Sequence, residues 1–376
     1  MLKFTLQCEF ILKLHRIIFD VWIRKDAIHW TQSMHYFKSS FYFTALCLSI
    51  AGYLGYQSTH TLAGTLSTIF ICAMLGVLEI SISFDNAVVN ANTLKTMSKI
   101  WQRRFLTWGM IIAVFGIRLI FPLLIVSIAA RVGPISALQL ALNEPERYAQ
   151  IVSNAHTAIM GFGAAFLALV GLNFFFNTQK NVHWIRFLEV KLVKLSKLDS
   201  IEIMLVLIAI IFMSKLTAKS ESLVFVISGL FGIVTYISLD ALNHLLNQTN
   251  SSHNTLIKAG LGSFLYLEVL DASFSFDGVI AAFALTTNLF IIVLGLSIGA
   301  MFVRSLTLML VNLNTLNKYR FLEHGAFWAI LVLSGFMFFS VYKKIPEVIT
   351  GLIGAILIVI AFISSLYWNK KYSKKV

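Results

Sequence analysis

Charge is scarce in this chain of 376 residues. Asp, Glu, Lys and Arg make up 12% of it, while hydrophobic residues make up 58% and the mean hydropathy is +0.82. Soluble domains carry about twice this share of charged residues, so a soluble globular fold is excluded. Apolar runs of roughly 18 residues or more recur along most of the length, which predicts an all-α, polytopic bundle of membrane helices.

Cysteine and enzyme motifs are also lacking. The three cysteines, Cys8, Cys47 and Cys72, are scattered without metal-ligand spacing, so there is no disulfide framework. A P-loop, a CxxC pair and an HExxH motif are all absent. We therefore expect no catalytic residues, no tightly bound cofactor and no enzymatic activity.

Acidic residues are few as well: 17 stand against 30 Lys and Arg, for a net charge of +13. In a soluble protein this balance would suggest nucleic acid as a partner. Here the basic residues lie between apolar runs, where membrane orientation and lipid contact explain them. The expected partner is the lipid bilayer, nucleic acid is not expected, and the oligomeric state is not indicated.

The apolar runs predict ten membrane spans. They lie at approximately 41–57, 62–91, 105–130, 155–176, 201–216, 222–245, 257–286, 288–311, 325–342 and 347–368. The predicted organisation is a basic amphipathic N-terminal segment (1–40), a first span (41–61), a first repeat (62–176), a connecting loop with two spans (177–256), a second repeat (257–345) and a last span with a basic tail (346–376).

Three basic segments set the predicted orientation. The loops 92–104 and 177–200 and the C-terminal tail are rich in Lys and Arg, and such segments usually stay in the cytoplasm. With ten spans, the N-terminus falls on the same side. We therefore expect an inner (plasma) membrane protein with both termini cytoplasmic, although Lys343 and Lys344 break the pattern.

Two acidic segments inside apolar runs are near copies of each other: LEISISFDNAVV at 78–89 and LDASFSFDGVIA at 270–281. Each is followed by a span with an arginine after a phenylalanine, and then by a span that opens with a histidine. These landmarks are Arg118 and His156 in the first copy, and Arg304 and His324 in the second. Since the two motif spans are five apart and so run antiparallel, the order predicts an inverted repeat, a recurring plan of secondary transporters.

The two apolar runs that contain these segments hold five carboxylates (Glu79, Asp85, Glu268, Asp271 and Asp277), each costing about 2.5–3.5 kcal/mol at a helix centre unless something pairs with it. On a helix, Glu79 shares one face with Ser83, Asn86 and Asn90, and Glu268 shares one with Asp271 and Ser275. These hard oxygen donors suit magnesium, calcium or manganese(II). Cys72 lies on the same helix face as Glu79, and its thiol is the one soft donor group there.

Asp85 and Asp277 lie about 120° away from these faces. Either the helix unwinds there, as Gly278 permits, or these aspartates face another partner. The alternative is a continuous helix in which the aspartate bonds a neighbouring arginine.

Arg118 and Arg304 either reach the membrane interface or pair with motif carboxylates. Five carboxylates and two guanidiniums leave three negative charges; one divalent cation removes two, and a proton could neutralise the last, so cation–proton exchange is open. For His156 and His324 the alternatives are an interfacial position or a role as proton relays. For Asp240 they are a helix cap or a place in the ion pathway.

The acidic segments resemble those of the TerC family of integral membrane proteins, in particular its TerC-like branch long described as an uncharacterised domain. The resemblance covers roughly 62–345 and is carried by LEISISFDNAVVNA at 78–91, YLEVLDASFSFDGVIAAFAL at 266–285 and YRFLEHGAF at 319–327. It implies metal-ion homeostasis, above all manganese(II) efflux, and an association with tellurium-resistance loci. Gly278 stands where many relatives have a serine, which removes one ligand.

Carried over by motif position, the resemblance implies a cation site formed by Glu79, Asp85, Asn86, Glu268, Asp271 and Asp277. Ser83, Asn90 and Ser275 would add oxygen atoms, and Arg118 and Arg304 would set the electrostatics. We thus expect a transporter that moves a divalent cation, manganese(II) by resemblance, outward and with possible proton coupling. The rival readings are a non-transporting accessory or scaffold protein in metal stress or tellurium resistance, a transporter of an amino acid or anion, and a membrane enzyme.

Overall fold

The computed structural model describes residues 27–178, 182–196, 198, 200–248, 253–283, 285–343, 345 and 347–372. Over these residues the chain is almost entirely helical and forms no strand. The predicted all-α class is therefore confirmed. Most of the predicted amphipathic N-terminal segment, residues 1–26, lies outside the described residues.

The first half contains the first acidic motif and Arg118. Its helices are α1 (Ala27–Thr59), α2 (Leu62–Ile82), α3 (Phe84–Leu94), α4 (Lys99–Ile111), a π-helical segment (Ile112–Ile120), α5 (Phe121–Ala129), α6 (Pro134–Asn143), α7 (Pro145–Asn154) and α8 (His156–Phe176).

The second half contains the second acidic motif and Arg304. Its helices are α9 (Arg186–Leu195), α10 (Ile201–Leu216), α11 (Lys219–Gln248), α12 (His253–Phe283), α13 (Leu289–Asn312), α14 (Thr315–Lys318), α15 (Leu322–Ser340) and α16 (Glu347–Tyr372).

Seven helical stretches of the described chain are long and apolar enough to cross a membrane: Leu62–Ile82, Lys99–Ile128, His156–Phe176, Lys219–Asn243, Leu289–Asn312, Leu322–Ser340 and Ile349–Tyr372. The chain is thus a multi-pass membrane protein. The other three predicted spans fall on helices with weaker membrane character. Tyrosines dilute α1, α10 has only 16 residues, and α12 carries the three acids of the second motif.

The outward faces of the membrane helices are apolar. Phe70, Phe231 and Leu352 are examples of large side chains that are 65%, 63% and 55% exposed. Such faces are costly in water but natural where lipid tails are the solvent. They indicate contact with the lipid bilayer.

Two apolar clusters flank the acidic motifs. One gathers α8, α11, α12 and α15 around Phe166 and Ile330, and the other gathers α1, α2, α12 and α13 around Leu75 and Leu296. Helix α12 contributes Leu270 to the first cluster and Val279 to the second. The second motif therefore lies between the two apolar cores.

Helices α2 and α13 pack against each other through glycines. A methyl group on Gly76 would lie 3.0 Å from Ile298 Cγ2, and one on Gly295 would lie 2.9 Å from the Cys72 carbonyl oxygen. A methyl group on Gly299 would lie 3.0 Å from the Gly76 carbonyl oxygen and overlap the side chain of Glu79. Only glycine permits this approach, as at other close contacts of membrane helices.

Candidate functional site

The first acidic motif spans a break between two helices. Helix α2 ends at Ile82, Ser83 has φ −97° and ψ 18°, and α3 begins at Phe84. The Asn86 amide donates a hydrogen bond to Asp85 Oδ1 over 2.9 Å, which places a carboxylate in the first turn of α3, where the helix dipole favours it. An interruption thus exists beside Asp85.

The second motif does not share this break. Helix α12 runs from His253 to Phe283 and passes through Gly278 without interruption. Glycine at this position instead serves close packing, because a methyl group there would lie 2.7 Å from Glu79 Oε2. The side chain of Asp277 lies outside the described residues, so only its place on α12 is known.

Glu79 and Arg118 form a buried ion pair. Arg118 Nη2 lies 2.5 Å from Glu79 Oε1, and both side chains are almost fully buried. Arg118 Nη1 also donates to the carbonyl oxygen of Ala113, five residues earlier in the π-helical segment, over 2.8 Å. Ser83 Oγ donates to Glu79 Oε1 over 3.2 Å. Of the two alternatives for Arg118, pairing with a motif carboxylate is the one observed.

Arg304 makes the matching contact in the second copy. Its Nη2 lies 3.5 Å from Glu268 Oε1 and 3.6 Å from Asp271 Oδ2. Its Nη1 donates to the Phe105 carbonyl oxygen over 2.6 Å, and its guanidinium carbon lies 4.2 Å from the centre of the Phe105 ring. Each arginine therefore pairs with an acid of its own copy.

Asn86 joins the two copies. Its Nδ2 donates to Asp271 Oδ1 over 2.7 Å, between side chains that are both buried. The carboxylate of Glu79 lies against Gly278. Residues from both acidic motifs thus form one polar array inside an apolar bundle.

Several oxygen atoms in this array are buried and have no hydrogen-bond partner among the described residues. They are Glu79 Oε2, Asn86 Oδ1, Asn90 Oδ1, Glu268 Oε2 and Ser275 Oγ. Buried polar atoms are normally paired, because burying an unpaired polar group costs free energy. All five are oxygens, the donor type that hard divalent cations prefer. These atoms are free to bind a ligand.

Asp85 forms no ion pair with a described arginine, in agreement with its angular position away from the face of Glu79. It is buried and lies against α16, where a methyl group on Gly354 would come within 3.3 Å of Asp85 Oδ2. The predicted alternative that this aspartate bonds a neighbouring arginine is not observed among the described side chains. Asp85 extends the acidic surface toward the C-terminal helix.

The buried charges do not balance. Counting the described motif residues, four buried carboxylates (Glu79, Asp85, Glu268 and Asp271) outnumber two buried guanidiniums, which leaves two negative charges if all are ionised. Within the described side chains, however, no three His, Cys, Asp or Glu groups lie together as a preformed metal site. The arginines and Asn86 stand between the carboxylates.

The two repeated histidines lie away from the array. His324 Nε2 is 2.8 Å from the Val182 carbonyl oxygen and 3.6 Å from Glu189 Oε2. His156 begins α8 and lines a small cavity with Thr350. Asp240 is exposed on α11. Cys72 is buried in the apolar cluster of α1, α2 and α13.

Comparison of the two acidic segments does not single out two further buried polar residues, Glu189 and Ser297. Glu189 accepts hydrogen bonds from the Trp184 and Ile185 amides and from Trp328 Nε1, and so fixes the segment before α9. Its place in the first turn of a helix was the available signal. Ser297 Oγ on α13 is buried without a partner. A hydroxyl within an apolar span gave only a weak indication.

One comparison with known proteins identifies a family. The family described as "Protein of unknown function (DUF475)" matches residues 84–372. No curated protein and no solved structure matches the chain. The matched range begins just after Glu79 and Ser83 and contains both arginines and the second motif. Because the match spans more than half of the chain, the protein belongs to this family of unknown function, DUF475.

Proposed function

We propose that the protein transports a divalent metal cation across the membrane through the polar array between its two acidic motifs. The observation that carries this proposal is the set of buried oxygen atoms without partners, of which Glu79 Oε2, Asn86 Oδ1 and Glu268 Oε2 are central. The described motif acids exceed the two buried arginines by two negative charges when Asp85 is counted, and one divalent cation would balance them. The oxygen-only donor set favours magnesium, calcium or manganese(II) over softer metals.

The ion pairs give the arginines a role in this proposal. Arg118 engages Oε1 of Glu79 and leaves Oε2 available, and Arg304 contacts Oε1 of Glu268 in the same way. Each arginine thus reduces the cost of a buried carboxylate while leaving one oxygen for the cation. Ser275 and Asn90 would complete the ligand set together with Asp277. If Asp277 is also ionised, the excess of negative charge rises from two to three. A divalent cation would neutralise two of these charges and a proton could neutralise the third, so proton coupling is chemically consistent.

An inverted repeat fits the helix contacts. Helix α2 of the first copy packs on α13 of the second, and the π-helical segment of the first copy packs on α12 of the second. An exchange of partners of this kind is expected when two related halves meet across a site.

The orientation in the membrane and the direction of transport are also proposals. Residues Lys95, Lys318 and Asn369 come together at one end of the bundle, where Asn369 Nδ2 donates to the Lys318 carbonyl oxygen over 3.0 Å. This end carries the basic loops, so we assign it to the cytoplasm of a cell whose inner (plasma) membrane holds the protein, with both termini cytoplasmic. Manganese(II) as the ion and export as the direction come from the resemblance to TerC proteins alone.

Reconstituted flux tests the proposal. The purified protein in liposomes should admit manganese(II), detected by an internal fluorescent reporter, and Asp85→Asn and Asp277→Asn should abolish the flux while the protein still inserts. Glu146→Gln, which neutralises an exposed acid in the first turn of α7, should transport normally. Normal flux in both site variants would refute the site.

A non-transporting accessory or scaffold role in metal stress or tellurium resistance is the second candidate. The observation that favours it is that both arginines are already neutralised within the bundle by Glu79, Glu268 and Asp271. A static protein could keep such pairs for structure alone. No flux of manganese, calcium, magnesium or zinc by the wild type, with or without a pH gradient, would favour this role.

A further inference from the structure

Outside the polar array, a cavity of about 490 Å³ opens at the end of the bundle that carries the basic loops. Its wall combines the turn after α3, the segment before α9, the α13–α15 connection and the end of α16. The charged and aromatic residues that line it are Lys95, Lys318, Arg320, Glu323, His324 and Trp368.

The cavity is cationic. Three basic side chains stand against one carboxylate, and that carboxylate, Glu323, is already paired with Lys95. In the described part of the chain, no carboxylate lies within ion-pair distance of Lys318 or Arg320. Among the described residues, these two cations therefore lack a counterion.

The guanidinium of Arg320 is stacked in place and keeps a hydrogen-bond donor available for a ligand. Its guanidinium carbon lies 4.5 Å from the centre of the Trp368 ring, which fixes the plane of the group. Its Nε is buried and has no hydrogen-bond partner within the part of the chain that the structure describes. A buried charged donor without an acceptor is costly, and a guanidinium presents parallel N–H groups that match the oxygens of a phosphate.

We infer that this cavity binds a phosphate group, either the headgroup of an anionic phospholipid or a free phosphate ion. Arg320 and Lys318 would bind the phosphate oxygens, with Lys95 adding positive potential. The position of Trp368 near the end of a membrane helix is typical of residues at headgroup level, which favours the lipid. The inference is independent of cation transport.

Binding to nanodiscs distinguishes the two sources. The protein is placed in phosphatidylcholine nanodiscs with or without phosphatidylglycerol, and retained phosphatidylglycerol is counted by native mass spectrometry after transfer to detergent. In phosphatidylcholine discs alone, radiolabelled inorganic phosphate is titrated. Specific retention of phosphatidylglycerol identifies the lipid headgroup, and saturable phosphate binding identifies the free ion; either result supports the site.

Three variants locate the binding. Arg320→Gln and Lys318→Gln should each lower the affinity for the ligand about tenfold or more, which is the effect of losing a charge-assisted hydrogen bond. Lys194→Gln removes one exposed positive charge from the helix α9 and should bind like the wild type. Monodisperse elution of all three excludes unfolding, and Lys318 is exposed, so its replacement should be tolerated. Failure of both probes to bind, or equal binding by all three variants, would overturn the inference.

Discussion

Asn86 Nδ2 and Asp271 Oδ1 are 2.7 Å apart although the two residues are separated by 185 positions in the chain. This hydrogen bond connects the first acidic motif to the second. It uses only one oxygen of Asp271, since Oδ2 lies 3.6 Å from Arg304. The amide oxygen of Asn86 remains buried without a partner. One side chain thus links the two motifs and still offers an oxygen atom to a ligand.

The Glu79–Arg118 pair should be strongly coupled. Arg118→Met leaves a buried carboxylate uncompensated and should lower the free energy of unfolding by about 3–5 kcal/mol. Adding Glu79→Gln should recover much of that loss, because the unpaired charge is gone. Thermal unfolding of the two single variants and the double variant in detergent measures the coupling.

The matched control is the exposed pair of Arg147 and Glu144, at 3.1 Å. Arg147→Gln should cost less than about 1 kcal/mol, as exposed ion pairs usually do. If Arg118→Met were as mild as Arg147→Gln, the pair would have no structural role.

Gly278→Ala should impair cation binding more than stability. The new methyl group would lie 2.7 Å from Glu79 Oε2, so the carboxylate must move away from the array. Gly335→Ala is the matched control, since no atom lies within 4 Å of its added methyl group. In a helix this second change should stabilise the fold by about 0.5–1 kcal/mol.

Manganese-induced shifts in melting temperature and flux in liposomes measure both glycine variants. We expect the shift and the flux to fall in Gly278→Ala and to persist in Gly335→Ala. Equal behaviour of the two variants would mean that Glu79 Oε2 is not a ligand.

Ser275→Ala should separate binding from folding. Ser275 Oγ is buried without a partner, so its removal should leave the free energy of unfolding unchanged or raise it by about 1 kcal/mol in the absence of metal. The added stability that a bound cation confers should shrink, because the variant binds the cation more weakly.

Ser273→Ala provides the comparison, since Ser273 Oγ is already bonded to the Val269 carbonyl oxygen over 2.9 Å. Melting curves with and without manganese(II) should show a reduced metal effect only for Ser275→Ala. A reduction in both variants, or in neither, would remove Ser275 from the ligand set.

The orientation can be tested with single cysteines. In a variant with Cys8, Cys47 and Cys72 replaced by alanine, His60→Cys should react with a membrane-impermeant maleimide in intact cells. Lys194→Cys and Lys370→Cys should react only after permeabilisation, because they lie with the basic segments. All three positions are exposed. Labelling of Lys370→Cys in intact cells would reverse the proposed topology.

The sequence predicted contacts within one helix better than contacts between helices. Glu79 and Ser83, four residues apart, were expected on one face and are hydrogen-bonded. The pairing of Arg118 with a motif carboxylate was one of two alternatives and is observed. In both cases helical periodicity, or the cost of a buried charge, limits the choice.

The remaining features depend on which helix lies opposite. Periodicity placed Asp85 off the main face but could not name α16 as its neighbour. It could not foresee that Asn86 would reach Asp271. Glycine at 278 suggested a break, yet α12 is continuous there, because that glycine makes room for Glu79 instead. The break lies at Ser83, where sequence propensity gives little signal.

The glycine contact between α2 and α13 has a mechanical consequence. Gly76, Gly295 and Gly299 bring the two backbones so close that no water layer fits beside Glu79 on that side. Two helices interlocked in this way should travel as a single rigid body. If the protein alternates between inward-open and outward-open states, the hinges must lie in other elements, and Ser83, between α2 and α3, is the nearest position where the helical chain is already interrupted.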